Sequence, residues 1–148
     1  MKKVLATGAA AVITAAGVGL AAAPAQAASA IQIYRVYYDS PGKDTRSNAS
    51  LNGEWVQLIN KTRTARQLKG YRLHDKTGYT YTFGSFTLKG RATVKIHTGR
   101  GHNTATHRYW GRRAYVWNNT GDTATLRYPG GTTADSCSWG STGDSKYC

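Results

Sequence analysis

The chain is poor in acid. Of its 148 residues only 7 are Asp or Glu, against 20 Lys and Arg, and the formal net charge is +13. No acidic residue lies between Asp75 and Asp122, so the middle of the chain lacks the carboxylates that a metal centre or an acid–base pair would draw on. Cysteine is as scarce, with only Cys137 and Cys148 present. No cysteine follows the N-terminal hydrophobic run, which argues against a lipid anchor, and two thiols without neighbouring ligands do not make a metal tetrad. Helical periodicity is missing throughout. Nothing after Ala30 is apolar for long enough to cross a bilayer. What fills the chain instead is 10 Tyr, 4 Trp and 17 Gly among Val, Ile and Thr, the residues of strands and turns.

The N-terminus has the pattern of an export signal. Met1-Lys2-Lys3 is basic, Val4 to Ala23 is uncharged, and Pro24-Ala25-Gln26-Ala27 ends in small residues at the A-x-A spacing. Cleavage is expected after Ala27, with a cut after Ala30 as the alternative. The run is rich in Ala and Gly, which gain little from hydrocarbon, so a cleaved leader is favoured over an anchor. The protein is therefore expected to be secreted, with no stable membrane insertion once the signal is removed. Loss of Lys2 and Lys3 lowers the charge from +13 by two, to +11, on a mature chain of about 120 residues, enough for one domain. Outside the cell paired thiols persist, and two cysteines allow one intramolecular pairing. A Cys137–Cys148 bridge would close the Gly/Ser-rich stretch Ser138 to Tyr147 and pin a tail against fraying. The chain-entropy model gives roughly 2–3 kcal/mol for such a loop.

Along the mature chain short runs of β-forming residues alternate with turn residues. Ile31 to Tyr38 is the first, stopping at Asp39-Ser40-Pro41-Gly42. Lys43 to Asn52 is polar and reads as a mobile loop. Gly53 to Asn60 places Val56 and Leu58 on one face and Trp55, Gln57 and Ile59 on the other. The basic stretch Lys61 to Gln67 leads to Leu68–Leu73. A hairpin turn at Asp75-Lys76-Thr77-Gly78 feeds Tyr79–Phe83, and Phe86 to Gly90 is a connection. Arg91 to Thr98 alternates cleanly, with Ala92, Val94 and Ile96 facing the core. After a loop from Gly99 to His107 come Tyr109-Trp110, then Ala114 to Trp117. The turn Asn118 to Asp122 feeds Thr123–Tyr128, and Pro129-Gly130-Gly131 is the last tight turn. About seven strands at this spacing predict an all-β, immunoglobulin-like sandwich. The expected organisation is a signal peptide over 1–27, the sandwich over 28–130 and a disulfide-closed tail over 131–148.

Several of these segments occur in a telling order: Gly53-Glu54-Trp55-Val56-Gln57-Leu58-Ile59-Asn60, Leu68-Lys69-Gly70-Tyr71-Arg72-Leu73, Tyr81-Thr82-Phe83 and Leu88-Lys89-Gly90. Then follow Val94-Lys95-Ile96-His97-Thr98-Gly99 and Val116-Trp117-Asn118-Asn119-Thr120-Gly121-Asp122-Thr123-Ala124-Thr125-Leu126. From about Ile31 to Tyr128 this series resembles the lamin-tail domain family in its bacterial secreted branch. The resemblance implies a compact immunoglobulin-like sandwich whose shared motifs are core hydrophobes and turn residues. It also implies a binding or targeting module: in nuclear lamins such domains engage proteins and chromatin, and in bacteria they accompany secreted or membrane-linked hydrolases. Cys137 and Cys148 lie beyond the shared pattern.

The surplus of cations selects anionic partners. Arg100, Arg108, Arg112 and Arg113 fall in one loop-rich stretch beside Tyr109 and Trp110, and guanidinium forks suit phosphate or carboxylate oxygens while aromatic faces stack on bases or sugars. These six residues are the candidate anion-binding site. The competing reading has Trp110 in the core and the arginines merely solvated. The run from Lys61 to Lys69 reads as a wet loop. His102 or His107 beside Arg100 and Arg108 would be a phosphodiester site only if a second reactive group approached, and no catalytic residues, metal or cofactor are assigned. Asp122 reads as a turn residue rather than a calcium ligand, and Asn48, Asn60 and Asn118 read as loop and turn residues rather than glycosylation sites. The expected function is a non-enzymatic module docking on an anionic polymer, extracellular nucleic acid or an acidic cell-wall polymer. A module for another exported protein and a small secreted nuclease or hydrolase are the alternatives.

Overall fold

The computed structural model describes residues 27–148 and, upstream of them, positions 10–13, 17, 19 and 22. The leader expected over 1–27 lies almost wholly outside the described residues. Among those described, no helix is long and apolar enough to cross a membrane.

Eleven strands and one short helix follow in order: β1 (Ile31–Tyr37), α1 (Asn48–Gly53), β2 (Trp55–Asn60), β3 (Arg66–Gln67), β4 (Arg72–His74), β5 (Thr80–Thr82), β6 (Thr87–Leu88), β7 (Thr93–His97), β8 (His107–Tyr109), β9 (Asp122–Arg127), β10 (Thr133–Trp139) and β11 (Ser145–Tyr147). They form a five-stranded sheet ordered β11-β1-β2-β7-β8, a four-stranded sheet ordered β10-β9-β4-β5, and the small pair β3-β6. All pairings are antiparallel except β7 with β8. The result is the all-β, immunoglobulin-like sandwich that the alternating runs predict.

Side chains alternate across a strand, and the core follows from that. Ile31, Ile33, Val36, Val56, Leu58, Val94 and Ile96 point inward from the five-stranded sheet. Leu73, Ala124, Leu126, Cys137 and Trp139 meet them from the four-stranded one, with Phe83, Leu68 and Leu88 beside them. Each fully buried Leu, Ile or Val contributes about 1.5–3 kcal/mol. Val56, Leu58, Val94 and Ile96 take the inner face as expected, and Ala92 packs half-buried against the cluster.

Local expectations differ from the structure at four places. The polar stretch before β2 holds helix α1, capped by the Ser47 hydroxyl, which accepts from the Ser50 amide, and anchored by buried Leu51. Ala114 to Trp117, expected as a strand, is not one. The Val116 and Trp117 amides donate instead to the buried carboxylate of Glu54, at 2.9 and 3.2 Å, so a side chain does the work of a neighbouring strand. Phe86 to Gly90 contains β6, which pairs with β3 at the end of the basic stretch Lys61 to Gln67. Finally, the segment expected as a tail forms β10 and β11, which edge the two different sheets. The Cys137–Cys148 disulfide is formed, with 5.8 Å between the Cα atoms, and ties these two edges together.

Buried polar residues hold the turns. Asn60, fully buried, donates from Nδ2 to the Thr64, Leu88 and Lys89 carbonyls and accepts the Thr62 amide, which fixes the start of the Lys61 to Lys69 run. Asp75 accepts the Gly78 and Tyr79 amides, each at 2.8 Å, and closes the β4–β5 hairpin. Asp122 accepts the Lys76, Asn118 and Thr123 amides, a turn role.

Candidate anion-binding site

The arginines that the sequence groups together part company in the fold. Arg100, Arg112 and Arg113 line one concavity of about 300 Å³ with Arg46, Asn48 and Leu51, and no acidic residue lines it. Arg108 lies elsewhere, its guanidinium 4.0 Å above the Phe86 ring. Tyr109 stacks on His97, with ring centres 5.0 Å apart. Trp110 packs half-buried against the core, edge to face with Trp117 and Tyr81. The Nε atoms of Arg108 and Arg112 are both buried without a hydrogen-bond partner among the described residues.

Three local devices aim the concavity. Asn48 and Asn52, on α1, both donate at 2.9 Å to the Arg100 carbonyl, and the Arg100 amide returns a bond to Asn48 Oδ1. The chain can come so close because position 99 is glycine: a Cβ there would stand 2.6 Å from Asn52 Oδ1 and 2.7 Å from Asn48 Oδ1. Arg112 is set by its amide's bond to the Thr98 carbonyl and by its guanidinium, 3.9 Å above the Tyr79 ring. Arg46 precedes α1 in the left-handed region, φ 56°, one of two non-glycine residues there among the described residues, and its amide donates to the Tyr115 hydroxyl. Such a backbone costs an arginine about 1–2 kcal/mol, and strain of this kind clusters at working sites. Sequence reasoning missed Arg46, which lies far from position 100 in the chain; its only signal was the basic residue in a polar stretch.

Two of the imidazoles pair with each other. His97 Nδ1 faces the Asn52 carbonyl at 2.8 Å, so it carries the proton; Nε2 then accepts from His107 Nδ1, also at 2.8 Å. Burial, aided by His107 and Lys95, holds the His97 pKa below the ordinary imidazole value, against the opposing pull of the Asn52 carbonyl. His102 is exposed. Among the described residues no three His, Cys, Asp or Glu gather as a metal would require.

Beside the concavity, register sets Tyr37, Trp55, His97 and Tyr109 in a single row across four strands of the outer face. Lys95 seats its ammonium 4.0 Å over Trp55, and Arg35 lies 4.4 Å over Tyr147. These cations occupy faces of Trp55, within the row, and of Tyr147, on the neighbouring edge strand.

Glu54, under the site, is fully buried. Burial pushes its pKa up to about 7, although Thr98 and the Val116 and Trp117 amides donate to the carboxylate and pull the other way. It joins β2, the end of β7 and the segment through Trp117, so the floor beneath the arginines is one hydrogen-bonded unit.

No curated protein matches this chain. Residues 24–141 match the family described as Lamin Tail Domain, a span reaching past Tyr128 and through β10. With its sandwich and its core motifs in that order, the chain belongs to the lamin tail domain family.

Proposed function

We propose that the protein is an exported, non-enzymatic binding module that docks on an anionic polymer, nucleic acid or an acidic cell-wall polymer, through the arginine concavity beside α1. The observation that carries this reading is the convergence of Arg46, Arg100, Arg112 and Arg113 on one hollow with no acidic residue in its lining. Four guanidinium groups in one place repel one another, and an anionic ligand relieves that cost while finding forked donors. The surplus of 20 basic over 7 acidic residues draws the polymer in from a distance. Export is supported by the leader-like N-terminus and by a disulfide, a bond that persists in oxidising compartments.

The test is retention on DNA and on isolated cell walls across a salt series. Each phosphate contact adds about 0.7–0.9 to the slope of log affinity against log salt, so neutralising Arg100, Arg112 and Arg113 together should flatten that slope by about 2–3. Binding indifferent to salt, or degradation of the polymer by the pure protein, overturns the reading.

A further inference from the structure

The four-stranded sheet carries basic residues that the concavity beside α1 does not use. Leu73 and Leu126 point inward and are fully buried, so by alternation Arg72, His74 and Arg127 point outward. Register sets Arg72 directly opposite Arg127, and Thr80 opposite His74. Like charges facing each other across an antiparallel pair are destabilising. Here both guanidinium groups line a hollow of about 270 Å³, shared with His74, Thr80 and Gly131 and again without an acidic residue.

The hollow is organised before any ligand arrives. Arg127 donates from Nε to His74 Nε2 at 2.7 Å and from Nη1 to the Gly131 carbonyl at 3.0 Å. Those bonds fix its plane and leave Nη2 unused by either. His74 can accept because its Nδ1 faces the Asp75 carbonyl at 3.1 Å and carries the proton there. Arg72 has the opposite character: its buried Nε finds no partner among the described residues. That atom is shielded from solvent, so an anion entering the hollow meets the Arg72 guanidinium at its Nη groups.

We propose that this hollow is a second anion site, separate from the polymer-docking concavity, and that it takes a tetrahedral phosphate dianion of the inorganic or monoester type. A carboxylate is planar, singly charged and satisfied by one fork. The Arg72 guanidinium and the Nη2 of Arg127, on facing strands, offer several donors and two positive charges to one ligand, which matches a phosphate dianion. The volume, several times the roughly 30 Å³ share of one water, admits the phosphate together with the first atoms of an ester. The proposal does not depend on polymer docking at the other site.

The test is an NMR titration of the whole protein with sodium phosphate at about pH 8, where phosphate is dianionic, with ionic strength held constant by chloride. Saturable shifts are expected at the amides of Thr80, Arg127 and Gly131. Arg72→Gln should weaken binding at least tenfold. Arg127→Lys should weaken it comparably, because it keeps the charge but loses Nη2 and the bonds to His74 and Gly131 that hold it in place. A variant carrying Arg100→Gln and Arg112→Gln, impaired at the other concavity, should bind phosphate here as the parent does, so the two sites fail or succeed separately. A 5′-phosphorylated oligonucleotide that binds more tightly than inorganic phosphate, in an Arg72-dependent way, identifies a polymer end as the source. Equal affinity identifies free phosphate. Equal shifts with acetate, or undiminished binding by Arg72→Gln, overturn the proposal.

Discussion

Breaking the Cys137–Cys148 bridge should cost this domain a large share of its stability. The cysteines are 11 positions apart, and closing a loop of that size removes about 3 kcal/mol of conformational freedom from the unfolded chain at 25 °C. The native state has its own reason to need the bond. Strand β11 is held by three register pairs to β1, Arg35 with Tyr147, Val36 with Lys146 and Tyr37 with Ser145, and the Cys148 amide donates to the Tyr34 carbonyl. A domain of about 120 residues unfolds with an entropy near 0.25 kcal/mol/K, so the melting temperature should fall by about 10 °C. Calorimetry on the Cys137→Ala, Cys148→Ser chain would measure it. Chemical reduction of the unmutated chain is the companion experiment, since Cys137 is buried in the core and reduction leaves its sulfur in place. In both cases the amides of Lys146 and Tyr147 should lose exchange protection before the core does. A melting temperature within about 2 °C of the oxidised protein would refute the argument, because it would mean a loop-closure contribution well under 1 kcal/mol.

Other residues give sharper or narrower tests. Glu54 binds its proton more tightly folded than unfolded, its pKa rising from 4.5 to about 7, so its stabilising contribution is complete below pH 4.5 and lost as the pH climbs through 7. That amounts to about 3 kcal/mol, and the difference between the wild type and Glu54→Gln, followed by thermal melts against pH, should trace this loss. His97 acts with the other sign: its depressed pKa gives a contribution present above 6.5 and lost as the pH falls through the lowered value, which Glu54→Gln should retain. Arg46→Gly should leave the melting temperature equal or raised by relieving the left-handed backbone, while lowering retention on the anionic polymer; loss of stability without loss of retention would remove Arg46 from the site. Gly90→Ala should prevent normal folding, since a Cβ would stand 2.1 Å from the Arg63 carbonyl oxygen, as circular dichroism and soluble yield would report. Asn60→Ala strands buried carbonyls at the same turn and should cost about 2–4 kcal/mol in denaturant melts.

The strands legible in the sequence were those with one buried and one wet face. Strands β2 and β7 alternate over five or six residues, and the hairpin at Asp75 to Gly78 is written in turn residues. Elements whose partners lie far along the chain were not legible. Val116 and Trp117 look like strand residues, yet their amides are satisfied by Glu54, which no local pattern reveals. Strand β10 is rich in Ser, Thr and Asp and β11 is only three residues long, so both read as tail; only pairing with β9 and β1 makes them strands. The candidate site divides in the same way. Arg100, Arg112 and Arg113 are near neighbours in sequence and stay so in space, whereas Arg46 joins them through helix α1. Arg72 and Arg127 face each other only because β4 pairs with β9. Trp110 packs half-buried against the core, and an aromatic flanked by arginines has the same local signature whether it faces solvent or the core.

The terminal strands also set a timetable for assembly. Position 35 pairs with position 147, a closure that spans nearly the whole domain, and contacts of such long separation form late and slowly. Until β11 has been synthesised, β1 has one bare edge and the two layers have no covalent seam. A nascent chain stalled before β11 would thus hold an incomplete sandwich with an exposed hydrogen-bonding edge.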